Sequence, residues 1–323
     1  MPAAVTHRPP PPGFFAFLKH GVLLPVRHRG LFLPLLALTA TLAAGLLLAN
    51  SLAVQPLAAA VLLDADAISR AHPASAAYSG LVKTLHTDLR RLLLDAGTCL
   101  VAAVVLGSAI KIATVFAAVT AFSGTGHPNN VCAVLGSACR GNLVGPVLTI
   151  AFGYVLEVAC AAAILVLALL TVYLLEYSLL LLFLDALLVL LASLFLVYLT
   201  VVCAVAVVVS AAEPERRGAA AVSRAWRLMQ GKNSQAALYV VATCALGAVV
   251  SPVYSLALRW WPRSAGTGLA AGVAYVLLLG AVEVFSVASL TAYYFECRER
   301  KEEEEEMAGH RYAKLPDGDD ANI

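Results

Sequence analysis

The chain has 323 residues and a net charge of only +2; 61% of its residues are hydrophobic and 13% charged. Water-soluble domains average about 45–50% apolar and about 25% charged residues. The composition therefore points to a polytopic membrane protein rather than a soluble domain, and the near-neutral balance argues against a basic surface for nucleic acid.

The proline tract of residues 1–13, MPAAVTHRPPPPG, has polyproline II character and reads as an N-terminal tail with the makings of an SH3-type ligand. The next stretch, FFAFLKHGVLLPVRHRG, predicts a short helix lying in the membrane interface, ended by Pro25 and followed by the basic flank Arg27, His28 and Arg29. A first crossing is predicted over about 31–52. It lies too far behind the polar start to be a cleaved signal and is expected to stay as an anchor. Pro34 near its start is tolerable, because a first-turn proline loses no helical hydrogen bond. Apolar sequence runs past Pro56 to Leu63, so this helix is either long and kinked or stops near Asn50. Residues 64–93 form a polar connection in which Leu81, Leu85, Leu89 and Leu92 fall at helical spacing, predicting an amphipathic helix.

The second crossing, about 94–122, carries Lys111 near its middle, and the polar stretch Ser123 to Asn130 follows as a hinge. The strongest signal is the run from Val144 to Ala212, where only Glu157, Glu176 and Asp185 carry charge. A bilayer core takes about 20 apolar residues of helix per crossing. This run therefore holds two crossings, about 144–175 and 179–211, with the break at Glu176, Tyr177 and Ser178. A fifth crossing over about 235–258 contains Pro252, which predicts a kink or an early end. A sixth covers about 268–294 and contains Glu283. The expected fold class is all-α: a polytopic helical bundle of six crossings spanning 31–295. A proline-bearing tail and interfacial helix (1–30) precede it, and an acidic, solvated tail (296–323) with the run Glu302 to Glu306 follows it. Crossings one, three and five each have a short amphipathic, basic lead-in, which suggests three helical-hairpin repeats. That pattern leans away from the inverted three-plus-three repeats of transporters.

Six crossings place both termini on one side. Fifteen Lys and Arg residues fall on that side against six on the other, with Lys111 inside the membrane. The positive-inside rule makes the terminal side cytosolic.

Four ionisable residues stand inside predicted crossings: Lys111, Glu157, Asp185 and Glu283. Each costs about 2.5–3.5 kcal/mol at mid-bilayer on insertion scales and normally faces the bundle interior with a partner. A pair between Lys111 and one of the carboxyls is one expectation, serving an ion pathway or only the structure; the other is a carboxyl that stays protonated. The connection Ala212 to Asn233 is the most motif-like polar piece. Glu213 and Glu215 read as the acidic start of a helix. Val222, Trp226 and Met229 form an apolar stripe flanked by Arg224 and Arg227, and Gly231 caps the end. With Lys232, these make a candidate headgroup-level helix: Arg224, Trp226, Arg227 and Lys232. The seven cysteines, Cys99, Cys132, Cys139, Cys160, Cys203, Cys244 and Cys297, form neither a CxxC nor a zinc-type Cys/His spacing. No HExxH, P-loop, GxGxxG or GxSxG is present, so neither a cofactor nor catalysis is expected.

Three stretches carry a resemblance. They are the lead-in FFAFLKHGVLLPVRHRGLFL, the connection with Glu213, Gly218, Ser223-Arg224 and Gly231-Lys232-Asn233, and the terminus TAYYFECRERKEE with HRYAKLPD. Together they resemble a plant family of six-span membrane proteins of unsettled function, some of them labelled polyadenylate-binding protein 1-B-binding protein. The connection is also loosely similar to the membrane segment of glycerophosphodiesterase-type proteins. The triplet His28-Arg29-Gly30 matches an active-site triplet of those enzymes, but it sits at a membrane entry with no catalytic barrel beside it. The five-glutamate run departs from the plant pattern. The resemblance implies topology and no catalytic residue. The expected role is non-enzymatic organisation, trafficking or partner binding in the endomembrane system, the endoplasmic reticulum included, or the plasma membrane. Its partners would be the lipid bilayer and a cytosolic protein met by the N-terminal tract or the acidic tail. The competing expectation is a transporter or channel that uses the four intramembrane charges.

Overall fold

The computed structural model describes residues 15–70, 76–124, 136, 143–174, 179–260 and 265–313. The N-terminal proline tract, most of the Ser123 to Asn130 hinge, the Glu176-Tyr177-Ser178 break and the last ten residues lie outside the described residues. Among the described residues the fold is all-α with no strand. In chain order the helices are α1 (Ala16–Arg27), α2 (Arg29–Ala49), α3 (Gln55–Arg70), α4 (Ala76–Ser123), α5 (Val144–Leu174), α6 (Leu179–Ala212), α7 (Ala219–Met229), α8 (Asn233–Trp260) and α9 (Ala265–Ala313). Among the described residues six helical stretches are long and apolar enough to cross a bilayer.

Several helix limits differ from expectation, each for a local reason. α1 does not stop at Pro25. The missing N–H there costs one bond to the Gly21 carbonyl, and the helix has only two residues left to run. Pro34 lies in the second turn of α2 rather than the first. The apolar stretch around Pro56 neither ends nor breaks. A π turn, Asn50–Val54, joins α2 to α3, with the Gln55 N–H bonded back to the Asn50 carbonyl. Widening the helix just before a proline gives its ring room against the preceding turn. The expected amphipathic connection helix is the first part of the 48-residue α4; Leu81, Leu85 and Leu92 are half-buried and Leu89 is exposed. α8 passes through Pro252. α9 runs 49 residues, so the acidic run is helical. Glu, Lys, Arg, Ala and Met there are strong helix formers, and Arg298 binds Glu302 one turn on at 2.7 Å.

The residues group into two compact units. One comprises residues 30–114 and 245–284. Within it Phe32 and Leu35 of α2 are buried. α2 also meets α9 at Gly280, where an added Cβ would lie 3.1 Å from the Leu36 side chain and 3.4 Å from its carbonyl. Tyr254 and Tyr275 stack in a tilted pair at 5.2 Å. The other unit comprises α1, residues 115–244 and residues 285 onward. Its core is the buried Val201–Val209 run of α6, packed with Phe17, Ala221, Ala225, Leu228, Met229, Tyr293 and Tyr294. The α5–α6 hairpin is closed near its tip by a hydrogen bond from the Thr171 hydroxyl to the buried Asp185 carboxylate.

Candidate functional site

The polar chemistry of the described residues concentrates in the second of these units, where the connection between α6 and α8 meets the end of α9. The connection is pinned at its start. The Thr149 hydroxyl donates to the Gly145 carbonyl at 2.8 Å and accepts the Gly218 N–H at 3.0 Å. Gly218 stands immediately before α7 with φ +54° and no side-chain cap. A left-handed φ of this kind favours glycine. Both partners are buried, so the hydroxyl is the acceptor that keeps a buried amide satisfied. Thr149→Val keeps the shape and removes that acceptor. It is expected to destabilise the protein by about 1–3 kcal/mol, read as a lowered melting midpoint in detergent, with Thr149→Ser largely neutral.

Glu213 and Glu215 do not open α7. Glu213 closes α6, its N–H bonded to the Val209 carbonyl at 2.7 Å, and the first turn of α7 holds no acid. The Glu213 carboxylate is therefore not answered by a helix dipole. It accepts the Tyr294 hydroxyl at 3.0 Å, pairs with Arg216 at 2.9 Å and faces Arg224 at 3.9 Å. The buried stripe of α7 is Ala221, Ala225, Leu228 and Met229. Val222 is half-buried, and Trp226 is partly exposed with its ring edge-on to Tyr198 at 5.1 Å. Gly231 has φ +92°, as a glycine after a helix C-terminus should. Its bareness also admits α9, because an added Cβ would stand 3.0 Å from the Arg300 guanidinium. Arg300 donates to the Gln230 carbonyl at 3.2 Å. Lys232 reaches the Glu296 carbonyl at 3.3 Å and its carboxylate at 4.0 Å, and the Tyr293 hydroxyl donates to the Lys232 carbonyl at 3.4 Å.

α1 completes this arrangement. Phe17, Gly21 and Leu24 are its buried residues, spaced to fall on one helical face. Phe17 packs edge-on to Tyr293 at 5.9 Å, His20 stacks on Phe122 and Phe122 on Phe295, and Gly21 lies directly against Ser289.

Of the charges expected inside the crossings, Lys111 is half-buried on α4, Glu157 half-buried on α5, Asp185 buried on α6 and Glu283 exposed on α9. Lys111 and Glu283 belong to one unit, Glu157 and Asp185 to the other. Of the headgroup candidates, Arg224 and Lys232 have carboxylates facing them inside the protein, while Trp226 and Arg227 are exposed, Arg227 donating to the Ser223 hydroxyl at 3.2 Å. Sequence reasoning missed Tyr293, Tyr294, Glu296 and Arg300 as partners of the connection. Their signal was the continuous helical composition from the sixth crossing into the tail.

Fold and site together define an all-α protein with six helices of membrane-crossing length and apolarity, and a polar platform built from three distant stretches. The chain belongs to the family described as a domain of unknown function, DUF8558, whose model matches residues 12–309. No curated protein and no solved structure matches it. The matched range includes α1, the connection and α9 as far as residue 309. The family description gives no function and does not bear on the likeness to the plant six-span proteins or to glycerophosphodiesterase-type proteins.

Proposed function

We propose that this chain is an integral membrane protein with both termini cytosolic, and that it organises or binds partners through that face rather than catalysing a reaction. One observation carries the reading. α1, the 213–232 connection and the 289–300 segment of α9, far apart in sequence, are joined into one packed and ion-paired platform. A surface held rigid before it meets a partner loses less freedom on binding. The distribution of Lys and Arg supports the cytosolic orientation. The resemblance to the plant six-span family fits the same role.

In sealed vesicles carrying the full chain, tags at either terminus are expected to be cut by protease added to the cytosolic side, and the chain is expected to resist carbonate extraction. Purified protein in liposomes is expected to carry no more ion flux than protein-free vesicles. A flux abolished by Glu283→Gln would replace this reading with a transporter.

A further inference from the structure

The basic residues near the connection are largely answered from within: Arg216 and Arg224 face Glu213, Lys232 faces Glu296, and Arg298 binds Glu302. α1 is different. The sequence contains no Asp or Glu before Asp64, and among the described residues Lys19, Arg27 and Arg29 make no ion pair. Arg29 only donates to the nearby Val26 carbonyl at 3.1 Å. All three cations are exposed.

The same helix has a second, outward face. Val22, Leu23 and Val26 are between 49 and 55% exposed. At about 100° per residue they stand opposite the buried Phe17, Gly21 and Leu24. Lys19 lies among them, Arg27 stands at their edge, and Arg29 follows one residue beyond the helix, at the start of α2. An apolar face in water is unfavourable, and cations with no internal partner are free to take external anions. A helix that is apolar and cationic on one side, and keyed to a protein core on the other, meets both conditions at an anionic lipid surface. There its aliphatic side chains enter the acyl boundary while the lysine and arginine stems reach up to phosphates.

We infer that the outer face of α1 is a docking surface for anionic phospholipid of the cytosolic leaflet, with Lys19, Arg27 and, at the adjoining start of α2, Arg29 as the headgroup ligands. The inference rests on the cytosolic placement of α1 proposed above and adds the chemical class of the ligand. It also moves the headgroup contact from the connection, where Arg224 and Lys232 face internal carboxylates, to the N-terminal helix.

The test uses the full chain in nanodiscs of phosphatidylcholine with a minor share of phosphatidylserine, followed by gentle extraction and native mass spectrometry. Wild type is expected to retain phosphatidylserine over phosphatidylcholine beyond the input ratio. The variant Lys19→Gln/Arg27→Gln/Arg29→Gln is expected to lose about tenfold or more of that preference, because the attraction of these side chains to an anionic surface is lost with their charge. Raised salt should weaken the wild-type preference. The charge-preserving variant Lys19→Arg/Arg27→Lys/Arg29→Lys should retain it, which separates charge from misfolding. No enrichment in wild type, or enrichment unchanged in the glutamine variant, overturns the inference. A protease-protected N-terminal tag in sealed vesicles would instead overturn the orientation on which it rests, so the two failures are read separately.

Discussion

Gly21→Val is expected to release α1 from the platform. A Cβ at Gly21 would overlap the Ser289 Oγ and stand 2.9 Å from its Cβ and 3.0 Å from its Cα. The last contact is with backbone, so rotating the serine away relieves only part of the clash. Both residues are buried, Ser289 with no exposed surface at all. The helices must therefore separate, and separation also exposes Phe17 and loses its packing on Tyr293. Overpacking of a tight core contact costs about 1–3 kcal/mol, and valine adds two methyl groups to the alanine Cβ that already clashes. The measurement is twofold: a lowered melting midpoint of the purified protein, and faster proteolysis between α1 and α2. Ser289→Gly in the Gly21→Ala background should recover part of the loss by removing the two nearest atoms. Wild-type stability in Gly21→Val would mean that α1 does not lie against α9.

Removing the carboxylate of Glu213 is expected to be the other large perturbation. It holds three groups at once: the Tyr294 hydroxyl, the Arg216 guanidinium and, more distantly, Arg224. Tyr294 is fully buried, so Glu213→Ala leaves its hydroxyl without that acceptor, at about 1–3 kcal/mol. Arg216 is nearly half exposed and can return to water, so its pair adds little. Arg224 is more enclosed, with its Nε buried and without a hydrogen bond, and losing the carboxylate that faces it raises the cost further. The sum is expected at about 2–4 kcal/mol. Glu213→Gln keeps an oxygen for the tyrosine and loses only charge, so it should cost clearly less. Tyr294→Phe should cost about 1 kcal/mol, and the double variant should cost less than the two singles added. Strict additivity would show that Glu213 and Tyr294 do not interact in the folded protein.

Much of the architecture was legible in the residues alone. A run such as 144–212, apolar at nearly every position and without strand alternation, satisfies its backbone groups within itself as helix, and its length fits two helices of crossing length. The helix of the connection and its glycine terminator were legible too, because the 3.6-residue period and a left-handed C-terminal glycine are local properties. What stayed hidden depended on a second stretch of chain. Pro25 read as a stop, yet two helical residues follow it; the stretch through Pro56, open between a long kinked helix and an end near Asn50, continues as helix through a π turn.

Sequence by itself determined the helical class, the membrane-scale length of six apolar stretches, and a leading segment that is cationic and free of acids. Tertiary structure alone decided where the charges go. Glu213 looked like a helix-starting acid, and it is instead the common acceptor for Tyr294 and Arg216. Lys232 looked like a headgroup cation, and it closes on Glu296. The reason is range. Helix formation answers to neighbours within a turn, whereas a carboxylate takes whichever donor folding brings within about 3–4 Å, and here those donors include residues more than sixty positions away.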